Sequence, residues 1–289
     1  MHSPIFSLEI FPPKRNAPVG TIYDTLDGLE GLHPDFISVT YGTGKSSDRT
    51  ATARIAHTVK REYGIEAVAH LTAMYVTHHD VDDTLAMFHE AGVSSILPLR
   101  GDVVEGRTPA GEFEHASDLA AYIHAVDPSF KLFGACYPGG HPQSASLEED
   151  VENLKRKVDA GVTHLISQLF YSTDDFLHFL EVARGAGIEV PIEAGIMPPI
   201  LAKSTLRMAK SCQAVVPPSL QRILERWQGN KEALQQAGIV YASEQVSELV
   251  SNGVEGVHLY SMNHPKVVRR IWNNVSSLFS EVGAGASAE

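Results

Sequence analysis

Ile5-Phe6-Ser7-Leu8-Glu9-Ile10-Phe11-Pro12-Pro13 opens the chain with an apolar run that carries one carboxylate and stops at two prolines. Proline has no N–H to give to a ladder, so the run reads as a β-strand that hands over to a loop just beyond Glu9. Apolar runs closing on polar residues return at Ser38-Val39-Thr40-Tyr41-Gly42, His70-Leu71-Thr72 and Leu99-Arg100-Gly101-Asp102. Working outward from these, strands are expected at residues 5–11, 36–41, 66–72, 95–99, 131–137, 164–170, 189–196 and 256–260. Amphipathic helical patterns lie between them, for example over 48–63, 81–91, 117–125, 147–160, 173–185 and 265–279. Gly64, Gly92, Gly161 and Gly187 stand where helix C-termini want a left-handed residue. Strands in strict alternation with helices imply a parallel sheet, and eight repeats close into an α/β fold, the eight-stranded parallel β/α (TIM) barrel.

The stretch 201–253 is too long for one helix and contains Pro217-Pro218, so two or three helices are expected there, inserted before the last strand. The reading is a single barrel domain over 1–282, followed by a flexible Gly/Ala/Ser-rich tail over 283–289. A chain of 289 residues with 43% hydrophobic content buries roughly three quarters of its unfolded surface, enough for a core without staples. A net charge of −12 argues against nucleic-acid or anionic-membrane partners, which need a basic surface. The two cysteines, Cys136 and Cys212, match no metal or disulfide spacing, and no charged leader or long apolar segment is evident. A reducing, cytoplasmic compartment and no bound metal are expected.

In a β/α barrel the loops after all strands meet at one face. That face gathers Glu9, Thr40, Tyr41, His70, Thr72, Arg100, Asp102, Tyr137, His141, Gln168, Tyr260 and Asn263. Glu9 between Leu8 and Ile10 reads either as a general acid whose pKa is raised by desolvation or as a salt-bridged structural carboxylate. His70 reads as a hydrogen-bonded structural histidine or a ligand contact. Asp150, Asn153 and Lys157 share a helix face with Arg156 alongside, a solvated charged helix or an anion site. Gly42-Thr43-Gly44-Lys45-Ser46 is no phosphate loop, because Val39 stands where its first glycine belongs. His78-His79-Asp80 reads as a helix-capping segment rather than a metal site. No strand end offers the lysine of a Schiff-base aldolase.

Taken together, the four strand-end signatures resemble methylenetetrahydrofolate reductase, flavoenzymes that reduce a folate-bound methylene group to a methyl. Further matches at Asn153-Leu154-Lys155-Arg156-Lys157-Val158-Asp159-Ala160-Gly161, Gly195-Ile196-Met197-Pro198 and Leu259-Tyr260-Ser261-Met262-Asn263 carry the likeness over about residues 5–275. The resemblance implies FAD, with NADH or NADPH as reductant, 5,10-methylenetetrahydrofolate as substrate and a homo-oligomer. It implies Glu9 as the general acid that protonates the folate ring and Asp102 as the anion that stabilises the cationic substrate. It implies flavin contacts from Thr40, Tyr41, Thr43, His70, Arg100, Gly101, Asp102, Ala116, Tyr137, His141, Asp150, Asn153, Arg156 and Lys157. On the substrate side it implies Glu9, Asp102 and Gln168. Ser204 and Met208 stand where other members use a glutamine and an aromatic, and His264 where some carry an arginine. Two readings compete: a flavin barrel related to proline dehydrogenases, and a non-catalytic flavin- or folate-binding barrel.

Overall fold

The computed structural model of the chain describes residues 3–13, 20–41 and 49–280. Thr43 with its glycine-rich loop, and the 283–289 tail, lie outside the described residues. Eight parallel strands form one closed sheet in chain order: β1 (Ile5–Ile10), β2 (Phe36–Val39), β3 (Glu66–Thr72), β4 (Ser95–Leu99), β5 (Lys131–Cys136), β6 (Val162–Ser167), β7 (Ile192–Ile196) and β8 (Gly256–Tyr260). β8 pairs back on β1, with Ser7 opposite His258 and Glu9 opposite Tyr260. The expected barrel is the fold observed.

Helices α1 (Gly20–Leu29), α2 (Arg49–Arg61), α3 (His78–Glu90), α4 (Ala116–Val126), α5 (Leu147–Asp159) and α6 (Thr173–Gly185) follow the first six strands in turn. Between β7 and β8 run α7 (Ala202–Ser211), α8 (Pro218–Trp227) and α9 (Lys231–Ser251), and α10 (Pro265–Val275) follows β8. No helix among the described residues is long and apolar enough to cross a membrane. Asp80 proves to be a cap: its carboxylate accepts the Thr77 N–H at 2.9 Å while the Thr77 hydroxyl accepts the Asp80 N–H at 3.2 Å.

The period of two sorts each strand between two environments. On β1, Phe6, Leu8 and Ile10 are buried beneath the helices, and the Phe6 ring stacks on Trp272 of α10 with centroids 4.2 Å apart. Ser7 and Glu9 face the barrel interior. An apolar plug of Phe36, Val68, Leu97, Phe133 and Ile166 fills part of that interior, its two phenylalanines meeting edge to face at 5.1 Å. A buried polar set shares the space. The Ser7 hydroxyl donates to Glu193 on β7, which also meets His164 Nε2 at 2.5 Å, and the Ser7 oxygen lies 2.6 Å from His258 Nδ1. With its proton on Glu193, Ser7 is left to accept from the Nδ1–H of His258, which fixes that tautomer. Burial drives His258 down to about 3, so the ring stays neutral.

Strand limits differ from expectation where side chains or prolines intervene. β6 starts at Val162 and stops at Ser167, because the Gln168 side chain turns back to accept the Leu169 N–H at 2.8 Å. β7 starts only at Ile192, since Pro191 can offer the ladder just its carbonyl, which takes the Leu165 N–H at 2.8 Å. β2 ends at Val39, although the Thr40 N–H still reaches the Ile10 carbonyl at 3.1 Å.

Candidate active site

Glu9, the last residue but one of β1, lies at the mouth of the barrel with 9% of its surface exposed. Desolvation there pushes its carboxyl up to about 8, so the acid form prevails at neutral pH. His70 on β3 approaches it, Nε2 to Oε2, at 3.8 Å, and burial drives that imidazole down to about 3. A distance that would suit an ion pair therefore joins two neutral groups. His70 Nε2 is buried and has no hydrogen-bond partner among the described residues. Tyr260 closes the β8 side: its hydroxyl donates to the Ser167 carbonyl at 2.8 Å, and burial with the nearby Glu9 carboxyl raises its pKa. The ring fits because Gly195 has no side chain; a Cβ there would stand 2.9 Å from Tyr260 and 2.1 Å from the Ser167 carbonyl oxygen.

Round the mouth, Arg100 donates to Gln143 at 2.5 Å and Gly101 takes φ +85°, a left-handed conformation that glycine adopts freely. Asp102 beyond it is exposed at the rim. From α5, Lys157 turns inward to the Ala135 carbonyl at 2.9 Å, with its Nζ 5.8 Å from the Tyr137 ring centroid. Burial lowers its pKa, and Asp150 opposes that. Asp150 is buried and accepts from Ser144 at 3.0 Å, whereas exposed Arg156 donates to Asn153 at 3.1 Å. His141 stands edge-on to Tyr137, 4.8 Å between centroids, and burial lowers its pKa as well. Tyr41 is buried, Thr40 half-buried, and half-buried Ala116 begins α4.

Of the positions compared with the family's substrate contacts, Ser204, Met208 and His264 lie in the segments that flank β8. Ser204 of α7 and His264 line a small cavity with Met197, Pro198, Ile200 and Met262. Met208 lies one helical turn beyond Ser204 and packs on the cluster of Leu169, Tyr171 and Met197. Gln168 is half-buried at the end of β6. Among the described residues no group of His, Cys, Asp and Glu could hold a metal ion. Reading strand ends alone passed over Ser7, Glu193, His164, His258 and Ser261. Their signal was a polar residue at every second position of an apolar run, as in Ser7-Leu8-Glu9 and His258-Leu259-Tyr260.

A family profile described as methylenetetrahydrofolate reductase matches residues 1–276. A probable methylenetetrahydrofolate reductase (NADH) from Oryza sativa subsp. japonica is 33% identical over 285 residues, which are 94% of this chain and 48% of the rice protein. The chain thus spans about half the length of the plant relatives it matches. The 5,10-methylenetetrahydrofolate reductase of Escherichia coli (strain K12) is 32% identical over 262 residues, 90% of this chain and 87% of that one. Among solved structures, an uncharacterized protein from Clostridium thermocellum that binds two copies of 5-methyl-5,6,7,8-tetrahydrofolic acid shares the fold. Its TM-score is 0.63 at 15% identity, covering 95% of this chain and 96% of that one. On its sequence, over nearly its whole length, this chain belongs to the methylenetetrahydrofolate reductase family.

Proposed function

We propose that this protein reduces 5,10-methylenetetrahydrofolate to 5-methyltetrahydrofolate, with FAD as its redox group and NADH or NADPH as the electron source. The observation that carries the reading is the burial of Glu9 at the barrel mouth, which pushes its carboxyl up to about 8. Such a group is an acid near neutrality. Glu9 gives its proton to the folate nitrogen whose bond to the methylene carbon breaks as the five-membered ring opens. Asp102, at the rim, offsets the positive charge that the opened substrate acquires. Gln168 can donate to and accept from the pterin at once, and Ser204, Met208 and His264 line the way for the rest of the substrate.

The residues present suit a flavin. Lys157 is an ammonium desolvated beside Tyr137, with donors to spare for a diphosphate. His70 has a buried nitrogen with no hydrogen-bond partner among the described residues, and Gly101 lets the main chain approach a planar ring. Thr40, Tyr41, His70, Arg100, Gly101, Asp102 and Ala116 would hold the ring end. Thr43 belongs with that ring end, and Tyr137, His141, Asp150, Asn153, Arg156 and Lys157 would hold the remainder. Bound there, FAD supplies the hydride chemistry between nicotinamide and folate.

The test is spectroscopic. Protein incubated with FAD and desalted should stay yellow, bleach anaerobically with NADH or NADPH, and recover its colour on adding methylenetetrahydrofolate as 5-methyltetrahydrofolate forms. Protein that holds FAD and bleaches but ignores the folate would overturn the substrate; protein that holds no flavin would overturn the cofactor.

A further inference from the structure

The β1–β8 ladder pairs Glu9 with Tyr260 and goes no further. Two residues on, Phe11 presents an N–H and a C=O that the ladder no longer serves, and Pro12 and Pro13 bring no donors. Asn263 completes the gap with its side chain. Its Oδ1 accepts the Phe11 N–H at 3.0 Å and its Nδ2 donates to the Phe11 carbonyl at 3.0 Å, so one amide does what a neighbouring strand would have done. Ser261 acts one step lower: its hydroxyl donates to the Glu9 carbonyl at 2.5 Å, and its N–H reaches the same oxygen at 3.3 Å. The Ser261 oxygen also accepts the Asn263 N–H at 3.1 Å, tying the two anchors together. On the other flank the Thr40 N–H holds the Ile10 carbonyl. The main chain from Glu9 to Phe11 is thereby pinned at each residue.

This arrangement needs an unusual turn. Met262 and Asn263 have φ of 50° and 54°, a left-handed pair without a glycine. Asparagine tolerates that region, methionine does so only when its surroundings hold it there. Relaxing the turn would swing the Asn263 amide off Phe11. Meanwhile the Glu9 carboxyl has no close ionic tether among the described residues, since the 3.8 Å separation from His70 is too long for a hydrogen bond. The described partners that hold Glu9 act on its main chain.

We propose that Ser261 and Asn263 are positioning residues: through the strained turn they fix the main chain of Glu9, Ile10 and Phe11 and so aim the acid at its substrate. The inference rests on the general-acid reading of Glu9 given above. Among the described residues the ionisable groups facing that carboxyl are His70 of β3 and Tyr260 of β8.

Asn263→Gly removes both hydrogen bonds to Phe11 while placing at that position a residue at ease with positive φ, and Ser261→Ala removes the hydroxyl anchor alone. With FAD-loaded protein, both variants should slow reoxidation by methylenetetrahydrofolate, Asn263→Gly by about 10- to 100-fold. Both should leave reduction by NADH or NADPH at the wild-type rate. In flavin-free protein, the infrared carboxylic-acid band of Glu9, identified by its loss in Glu9→Gln, should titrate at lower pH in both variants than in wild type. Variants with wild-type folate rates and an unmoved band overturn the proposal, as does an equal loss in both reactions. Should Asn263→Gly fail to fold, Ser261→Ala decides on the same criteria. A wild-type protein that never reacts with the folate counts against the enzymatic reading instead, and the infrared titration then decides the positioning alone.

Discussion

Glu9 and His70 form an acid–base contact that carries no charge, Oε2 to Nε2 at 3.8 Å. One carboxyl held up near 8 and one imidazole held down near 3 leave a window of several pH units in which both are neutral. Burial alone sets this window, because desolvation acts on the two groups in opposite directions. The same cavity that protonates the acid prevents its neighbour from taking the proton away.

Glu9→Gln keeps the shape and discards the proton. The folate-dependent step should fall by about 10²- to 10⁴-fold, the usual worth of a positioned acid. Reduction by nicotinamide, which needs no such acid, should proceed. Stopped-flow measurement of the two steps separates them, and an equal loss in both would sink the assigned role.

The same carboxyl sets two pH dependences. On the proposed role the folate step needs the acid form, so its rate should decline as pH rises through about 8. Stability follows the same sign: between 4.5 and about 8 the folded chain holds a proton that the unfolded chain has released, so folding weakens as pH rises across that range. Glu9→Gln is spared this. Its melting temperature should gain on wild type from pH 5 to pH 9, and a constant difference across that span would show that Glu9 does not titrate there.

Lys157 is desolvated before any ligand arrives, and Asp150 only partly offsets that. Lys157→Met should therefore leave the flavin-free protein no less stable. FAD affinity should fall about 10- to 100-fold, the worth of one charge-assisted contact. Titration of flavin fluorescence reads the affinity, and an unchanged value would place the diphosphate elsewhere.

Two glycines offer a matched pair. At Gly195 a Cβ would meet the Ser167 carbonyl oxygen at 2.1 Å, so Gly195→Ala must part β6 from β7, at a cost of about 3 kcal/mol or more. Gly185 ends α6 with nothing within 4 Å, and Gly185→Ala should stabilise by up to about 1 kcal/mol. Urea unfolding of both variants checks the contrast.

The barrel was legible because its signals are local. Pro12 marks the end of β1, and Gly64, Gly92, Gly161 and Gly187 all take the positive φ that their places after helices suggested. The expected start of β7 failed at Pro191, where a strand-like composition lacks the N–H a ladder needs. Partnerships were less visible. Ser7 is an evident polar break in an apolar run, but Glu193 lies 186 positions away and His258 lies 251. On α5 the spacing put Asp150, Asn153 and Lys157 on one face, yet only the packed fold shows Lys157 reaching the β5 carbonyl while Arg156 stays in solvent. Asn263 stood out as a strand-end polar residue; that its side chain would complete a backbone ladder is a fact of three dimensions.

Glu9 sits on the seam where the first strand meets the last. Half of its scaffold, from Tyr260 to Asn263, is the final part of the sheet to leave the ribosome. The acid accordingly has no fixed aim until the ends of the sheet join, and chains released before β8 carry Glu9 on an unpaired edge. On the proposed acid role of Glu9, folate turnover can then appear only once the cylinder has closed, which makes its onset during refolding a clock for that last long-range step.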